Sequence, residues 1–406
     1  METYFKIAWR NLWRNKRRSL ITIASVFFGV FFAVFMSSLQ IGTFENMVEN
    51  MVRFSSGYIQ IQNEKFKDNP SVNNSFIDDA ELQGLIENNK LITQYTQRIE
   101  SFALASTGEK SYGAVIFGII PEMEDNISHL SKWVSNGDYI KTGSNGVLIG
   151  KELASNLKLN INDTLILLGQ GYHGSTAAGK YPVTGILNLP IQEMSKQMIY
   201  MDINNSRELF SMSGRSTSMV LMVESADDVQ PAIEQIKPEV TGKLKIYAWN
   251  EILRELNNLV EGKLASGKIV KGILFMVIGF GIWGTIIMLM AERKRELGIM
   301  IALGVKKLRM IRIIAIESFF IGILGIIIGF IGSFPLVMYF YHNPIIVSGK
   351  IKQTYEQMGF EPVIKFSIRP DVFISPAITI FILFSIITLY AVWYIFKLKT
   401  ADALRA

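Results

Sequence analysis

The sequence predicts a membrane α-helical protein with four transmembrane helices, one plus three, and a large extracytoplasmic α+β domain between helices 1 and 2. Four apolar runs are long enough to supply the roughly 20 helical residues that cross a bilayer. The mean hydropathy of +0.27 fits a chain that is partly embedded in lipid and partly in water. The stretch between the first two runs is long enough to fold into one or two units of its own.

The four apolar runs are Leu20–Leu39, Ile269–Ala291, Ile313–Phe340 and Val372–Phe396. A basic region precedes the first run, as in a signal peptide, but the run is too long and no small-residue cleavage site follows it. We therefore expect an uncleaved anchor. The chain then divides into a basic amphipathic helix with transmembrane helix 1 (1–41), an extracytoplasmic α+β domain with helical stalks (42–267), and transmembrane helices 2–4 (268–406).

Charge is divided between these regions. Residues 42–267 hold 19 Lys/Arg and 27 Asp/Glu, whereas the remainder holds 22 and 8, so the two parts carry net charges of −8 and +14. The basic residues lie in short flanks, which the positive-inside rule assigns to the cytoplasm. We expect cytoplasmic termini, an outside location for the domain and for the 341–370 loop, and no nucleic-acid partner. The flanking residues are Lys6, Arg10, Arg14, Lys16, Arg17, Arg18, Arg293, Lys294, Arg295, Lys306, Lys307, Arg309, Arg312, Lys397, Lys399 and Arg405.

The extracytoplasmic domain mixes strand and helix patterns, and we expect a division near residue 125. The strand-like runs are Gly57–Gln62, Gly113–Gly118, Gly146–Ile149, Thr164–Leu168, Tyr181–Leu187, Gln197–Met201 and Ser218–Val223. The helix-like runs are Asp79–Ile86, Lys151–Leu157 and Asp228–Ile236. Amphipathic runs at 44–52 and 249–260 have a 3.6-residue rhythm. We expect each to continue its membrane helix as a stalk; ordinary core helices are the alternative.

The sequence contains no convincing catalytic or metal-binding pattern. The absence of cysteine excludes disulfides and thiol chemistry, and the three histidines are far apart. Glycines in the 169–180 loop match phosphate-binding patterns, but a strand rather than a helix follows them, which favours a hairpin. The carboxylates Glu122, Glu124 and Asp125 are interpreted as belonging to a solvated turn.

Two features of the third apolar run predict contacts within the membrane. Glu317 lies near its cytoplasmic edge, where a charge is costly. We expect a structural role for it, through a basic partner or the interface, rather than an ion pathway. Gly322, Gly325, Gly329 and Gly332 are spaced 3-4-3, which keeps them on one face of the helix. Small residues on one face let another helix approach closely, so a helix–helix contact is expected there.

The segment after the second run carries the most specific pattern. Its apolar face predicts a short helix, ended by a glycine, that presents a compact knob to a cytoplasmic partner. The segment resembles the MacB/FtsX-like ABC transporter permeases, a family that includes lipoprotein-releasing permeases of the LolC/LolE type. The family motif E-R-x-x-E-[IL]-G-[IV]-x-x-A-[LI]-G is matched by Glu292, Arg293, Glu296, Leu297, Gly298, Ile299, Ala302, Leu303 and Gly304. The basic run 8–18 and the Glu317–glycine pattern are also similar to the family's.

The resemblance implies a non-catalytic permease subunit of an ABC transporter in a bacterial inner membrane. Residues at about 292–306 would form the coupling helix, seated on an ABC ATP-binding subunit that is usually present in two copies. ATP and Mg would bind that subunit and no cofactor would bind this chain, in agreement with its missing Walker motifs. A second copy of the permease, or a homologous one, would complete the assembly.

The resemblance favours ATP-driven extraction of lipoproteins from the cytoplasmic membrane by mechanotransmission, that is, by movement of the outer domain. The alternatives are MacB-like efflux of peptides, toxins or antibiotics, and FtsX-like regulation of a cell-wall hydrolase. A lipoprotein extractor needs an apolar cavity at a lateral opening between spans 1 and 2; simple contact with membrane lipid is the alternative role for the side chains there. The candidate cavity residues are Phe28, Phe31, Phe32, Phe35 and Met36.

Overall fold

The computed structural model describes residues 2–14, 16–189, 192–357 and 361–397, so Asn15 of the N-terminal basic run and Lys399 and Arg405 of the tail lie outside the described residues. The helices are α1 (Glu2–Arg14), α2 (Lys16–Phe54), α3 (Ala80–Glu87), α4 (Pro121–Ser128), α5 (Lys151–Leu157), α6 (Gln192–Ser195), α7 (Ile203–Leu209), α8 (Val229–Ile236), α9 (Trp249–Ile252), α10 (Arg254–Ala302), α11 (Lys307–His342), α12 (Lys350–Gln357) and α13 (Pro370–Lys397).

The strands are β1 (Ile59–Asn63), β2 (Phe76–Ile77), β3 (Ile92–Ser106), β4 (Ser111–Ile119), β5 (Val134–Gly137), β6 (Val147–Gly150), β7 (Thr164–Gln170), β8 (Thr176–Leu187), β9 (Met198–Asp202), β10 (Arg215–Ser216), β11 (Ser218–Val223), β12 (Leu244–Ala248), β13 (Ile345–Ile346) and β14 (Val363–Ile364). The chain divides into two compact units. We call residues 1–46, 260–346 and 363–406 the helical unit, and residues 47–259 and 347–362 the sheet unit.

Among the described residues, four helices are long and apolar enough to cross a membrane, and each contains one of the predicted runs. They are α2, α10, α11 and α13, and the sheet-rich region lies between the first and the second of them in the chain. The predicted fold class is therefore confirmed. Two of these helices, α2 with 39 residues and α10 with 49, are far longer than a bilayer requires.

The two amphipathic runs behave differently. The run 44–52 belongs to α2, which is unbroken to Phe54. The run 249–260 is interrupted, because Leu253 has φ −93° and ψ 57° and separates α9 from α10. The Glu251 carboxylate accepts a hydrogen bond from the Ala248 N–H at 3.3 Å. This bond caps the N-terminus of α9, which is a separate one-turn helix. The expectation of an unbroken helix over 249–260 is therefore wrong before Arg254.

The sheet unit is built on one ten-stranded mixed sheet. The strand order is β12-β1-β11-β3-β4-β9-β6-β8-β5, and β7 pairs with β3 and β8. Each of the seven predicted strand runs overlaps an observed strand, but the 15-residue strand β3 was not predicted. The predicted division near residue 125 is wrong, because β4 pairs in parallel with β9 across that point. One hydrophobic core also contains residues from both sides of this point, from Val72 to Met212.

The glycine-rich loop is the predicted hairpin. Strands β7 and β8 pair antiparallel from Thr164 opposite Pro182 to Gln170 opposite Thr176. The turn between them is tight, with Gly174 at φ 81°. The loop holds only a single 3-10 turn, Tyr172–Gly174, and Lys180 lies within β8, so a strand rather than a phosphate-binding α-helix follows the glycines.

The end of α2 is fixed in the core of the sheet unit by a buried ion pair. Arg98 on β3 donates from Nε and Nη2 to the two carboxylate oxygens of Glu124, at 2.8 and 2.7 Å. Its Nη1 donates to the carbonyl of Ser55, the residue that follows α2. Beside it, Arg53 donates to the carbonyl of Ile127 at 3.1 Å. The interpretation of Glu124 as part of a solvated turn is therefore wrong: α4 turns its side chain towards β3, whereas Glu122 is exposed.

Candidate functional site

The family-like motif lies at the end of α10, not on a separate short helix. Helix α10 continues without a break to Ala302, because nothing between the second apolar run and the motif interrupts helical geometry. It ends as predicted at Gly304, whose φ is 85°. The Gly304 N–H donates to the carbonyl of Ile301 and the Val305 N–H to that of Met300, both at 3.0 Å. This is a Schellman motif, which satisfies the last carbonyls of the helix.

The motif residues divide between two faces of the helix. Arg293, Leu297 and Gly298 are buried, whereas Glu292 and Glu296 are exposed. The side chains at the tip, Ile299, Ala302 and Leu303, are also exposed, and Leu303 keeps 79% of its surface accessible. Together the three side chains form an exposed apolar patch at the helix end, and such a patch is typical of a contact surface for another molecule. The buried face instead holds the end of α10 within the helical unit.

The basic partner expected for Glu317 is Arg293. The Nη1 and Nη2 atoms of Arg293 donate to the two carboxylate oxygens of Glu317, each at 2.7 Å. The pair joins the last turns of α10 to the early turns of α11, and the side chains are only 7% and 4% exposed. A buried pair in bidentate geometry is strongly directional, so it fixes the rotation of one helix end relative to the other. The motif arginine is thus a structural link between the exposed tip and the apolar helices.

The four glycines of α11 lie against two other helices. A Cβ atom at Gly325 would lie 2.6 Å from Cβ of Val26, and one at Gly329 would lie 2.8 Å from Cβ of Val30, both on α2. A Cβ at Gly332 would also meet α2, 2.8 Å from Cε2 of Phe27. Gly322 instead faces Phe384 on α13, at 2.9 Å. The backbones approach so closely that no side chain fits between them.

The five proposed cavity residues on α2 do not share one environment. Phe28, Phe32 and Met36 follow each other at four-residue intervals and are exposed as a stripe. Phe35 is partly buried in the helical unit, with its ring centroid 5.2 Å from that of Phe366. Phe31 is partly buried and lies beside Phe27 and Phe32. The exposed stripe therefore keeps the predicted role open for three of the five side chains.

Two family matches account for nearly the whole chain. Residues 19–239 match the MacB-like periplasmic core domain, and residues 269–400 match the FtsX-like permease C-terminal domain. The chain belongs to the MacB/FtsX-like permease family. It is therefore an ABC transporter permease, a multi-pass membrane protein with a periplasmic-type domain, and the permease is not itself the catalytic component.

Similar curated proteins carry different names. The chain is 26% identical over 325 residues to the lipoprotein-releasing system transmembrane protein LolC of Xylella fastidiosa, with 76% of each chain covered. It is 23% identical to an uncharacterized ABC transporter permease of Methanocaldococcus jannaschii, with 80% and 81% covered. It is 31% identical over 119 residues to the macrolide export ATP-binding/permease protein MacB of Rhodopirellula baltica, which is 27% of this permease and 17% of that protein.

Among solved structures, the periplasmic region of MacB from Actinobacillus actinomycetemcomitans aligns with a TM-score of 0.35 and 14% identity, covering 49% of this chain and 92% of that one. The extracellular domain of the noncanonic ABC-type transporter YknZ from Gram-positive bacteria aligns with a TM-score of 0.33 and 17% identity, covering 47% and 98%.

Proposed function

We propose that this permease receives energy from a separate ATP-binding subunit through the exposed tip of α10, and passes it on as helix movement that releases lipoproteins from the membrane. The observation that carries the first half is the exposed apolar surface of Ile299, Ala302 and Leu303 on a helix end that a Schellman motif and a buried ion pair hold rigid. The same helix continues unbroken back to Arg254. A rigid helix of that length transmits a displacement at one end to the other.

In this proposal the N- and C-termini and the α10 tip are cytoplasmic, and ATP and Mg bind the partner subunit, which is present in two copies. A second permease chain completes the assembly. Support comes from the basic flanks around Arg293 and Lys307, because positively charged short loops remain on the cytoplasmic side. The glycine-lined contact of α11 with α2 supports a bundle whose helices move as one body.

The experiment on coupling uses two exposed leucines that lie five residues apart. Leu303→Asp places a charge on the tip, whereas Leu308→Asp places the same charge on the first turn of α11. We expect Leu303→Asp, and likewise Ala302→Arg, to abolish co-purification of the ATP-binding subunit and the substrate-stimulated ATPase activity of the complex. Leu308→Asp should retain both. Equal effects of Leu303→Asp and Leu308→Asp, or full activity of Ala302→Arg, would contradict the assignment.

The cargo proposal rests on the LolC relatives, which match three quarters of the permease, and on the exposed stripe of Phe28, Phe32 and Met36. The stripe offers an apolar surface for acyl chains. We expect mass spectrometry of the native complex to find lipoproteins, and depletion of the permease to leave lipoproteins in the cytoplasmic membrane. Intact lipoprotein sorting after depletion, together with no lipoprotein in the purified complex, would exclude lipoproteins as the cargo.

Efflux of a macrolide, peptide or toxin is the second candidate, and the local 31% identity to MacB favours it. It predicts increased sensitivity to such a compound after depletion, with lipoprotein sorting unchanged. Lipoprotein sorting and compound sensitivity, both measured after depletion of the permease, therefore separate the two cargoes.

A further inference from the structure

A cavity of about 460 Å³ lies inside the helical unit, between α1, the last turns of α10 and the first turns of α11. Its walls are mostly apolar and include Ile7 and Leu297. Among the described residues, four polar side chains also line it: Asn11, Arg14, Arg293 and Glu296. A space of this size with a few polar groups in an apolar wall has the composition of a small-molecule site.

One of these polar groups is buried and incompletely bonded. Arg293 uses Nη1 and Nη2 for Glu317, but its Nε has no hydrogen-bond partner among the described residues. The arginine side chain is only 7% exposed. Because a buried N–H without an acceptor is costly, this donor points to a ligand with a hydrogen-bond acceptor in the adjoining cavity.

The cavity also holds exposed charges of both signs. Arg14 and Glu296 line it, and neither makes a hydrogen bond or ion pair with another described residue. An anion alone would satisfy Arg14 and the Arg293 Nε but would be repelled by Glu296. A ligand that carries both a negative and a positive group suits the lining better, especially if its cation is a hydrogen-bond donor.

The surroundings indicate a lipid. Helix α1 is basic and amphipathic, and its Trp9 and Trp13 are exposed. Exposed tryptophans on a basic amphipathic helix are typical of the headgroup level of a membrane. The cavity lies where the sequences of α10 and α11 change from apolar to charged. This change marks the headgroup level of the membrane as well.

We propose that this cavity binds one phosphatidylethanolamine molecule. The phosphate accepts hydrogen bonds from the Arg293 Nε and from Arg14, and the primary ammonium donates to Glu296. The apolar walls receive the upper part of the acyl chains. Because Arg293, Glu296 and Leu297 lie in the last turns of α10, an occupied cavity joins the end of that helix to α1. The lipid is then a structural ligand of the permease and not its cargo.

The test is native mass spectrometry of the delipidated full-length chain in detergent, titrated with phosphatidylethanolamine, phosphatidylcholine or phosphatidylglycerol. We expect phosphatidylethanolamine to bind about tenfold more tightly than either other lipid, since neither of them carries a primary ammonium that can donate a charge-assisted hydrogen bond to Glu296. Arg14→Gln and Glu296→Gln should each weaken phosphatidylethanolamine binding about tenfold, because each removes one hydrogen bond to that lipid. Arg10→Gln and Arg295→Gln are the controls, because these two exposed arginines lie on the same two helices but do not line the cavity. Both variants should bind phosphatidylethanolamine as the unaltered chain does.

Equal binding of the three lipids would overturn the proposal, as would equal losses in all four variants, which would indicate non-specific charge. The substituted side chains at 14 and 296 are exposed, so folding is not at risk. A fifth variant, Arg293→Met with Glu317→Met, removes the Nε donor without leaving a buried charge behind. It should also bind phosphatidylethanolamine more weakly, and unchanged binding in it would contradict the role of Nε.

Discussion

Among the described residues, the sheet unit and the helical unit each contain one buried arginine–glutamate pair, and the two pairs differ in how many of the arginine nitrogens are hydrogen-bonded. In the sheet unit, Arg98 uses Nε, Nη1 and Nη2, and the pair is almost fully enclosed, with 0% and 1% exposure. In the helical unit, Arg293 binds Glu317 end-on and leaves Nε without a partner beside a cavity. The first pair is therefore a closed anchor, and the second is a link with room for a ligand and for rearrangement.

This difference matters because each pair holds one end of a long helix. Arg98 fixes the C-terminus of α2 within the sheet unit, and Arg293 fixes the last turns of α10 within the helical unit. The proposed transport by helix movement requires firm attachment where force is delivered and freedom to adjust where it is received. The contrast between the pairs leads to four predictions.

The largest loss of stability is expected from breaking the fully enclosed Arg98–Glu124 pair, the closed pair. Glu124→Gln leaves the Arg98 guanidinium buried without its counter-ion, which should destabilise the sheet unit by about 3–5 kcal/mol. Hydrogen–deuterium exchange of peptides from β3 and the end of α2 measures this loss locally. Glu122→Gln, an exposed carboxylate two residues away, is the matched control. Similar protection in the two variants would show that the pair does not anchor α2.

Breaking the Arg293–Glu317 pair, the open pair beside the cavity, should reduce the free energy of unfolding by a smaller amount. Glu317→Gln leaves Arg293 without its carboxylate, but the adjoining cavity allows water or lipid to solvate the guanidinium. We expect a loss of roughly 2–3 kcal/mol, the upper range for a hydrogen bond to a charged group. Thermal unfolding of the full chain in detergent, compared with Arg293→Met/Glu317→Met, measures it. If Glu317→Gln is as damaging as Glu124→Gln, the helical pair is as closed as the other.

A smaller effect is expected where helices touch without charge. Gly325→Ala puts a methyl group 2.6 Å from Cβ of Val26, so α2 and α11 must separate. The expected cost is about 1–3 kcal/mol, as for other overpacked cores. Gly281→Ala on α10 has no heavy atom within 4 Å of the new carbon and should be neutral or slightly stabilising in the same melting experiment. A neutral Gly325→Ala would mean that the contact yields easily.

The smallest effect concerns pH. Burial raises the pKa of Glu100, next to the closed pair, above its usual 4.5, and this outweighs the charge of Arg98 and hydrogen bonds from Ser218 and Gln60. The folded chain thus keeps this proton to higher pH than the unfolded chain, so stability falls as pH rises from 4.5 through the raised pKa. Glu100→Gln should remove that slope from melting temperatures measured as a function of pH.

The control for the pH experiment is Glu122→Gln. A hydrogen bond from Thr142 lowers the pKa of Glu122, so its contribution is present above 4.5 and is lost as pH falls below that value. Its replacement should leave the slope above pH 4.5 unchanged. A Glu100→Gln protein with the original slope would show that another group titrates in that range.

Some of the organisation follows from the sequence because it rests on local physics. A run of about 20 apolar residues has no stable alternative to a membrane helix, so the four spans and their order can be predicted directly from the sequence. Gly304 ends α10 because an αL residue there satisfies the last carbonyls, whatever lies nearby. The exposed knob of Ile299 and Leu303 was likewise predicted, since the helical repeat fixes which residues share a face.

Other features depended on partners that are distant in the chain. Strand β3 was missed because its first half is mostly polar and its identity comes from pairing with β4, β7 and β11. Glu124 has the sequence context of a solvated turn, and only the packing of α4 on β3 buries it against Arg98.

The sequence by itself determined the four membrane helices, their one-plus-three order and the motif at the end of the second, because hydrophobic length and helical periodicity are local properties. Only the tertiary structure decided that Arg293 meets Glu317, that Arg98 meets Glu124, and that α1, α10 and α11 enclose a cavity. Such pairings depend on which surfaces meet after folding, where low dielectric and close packing make the position of one donor atom matter.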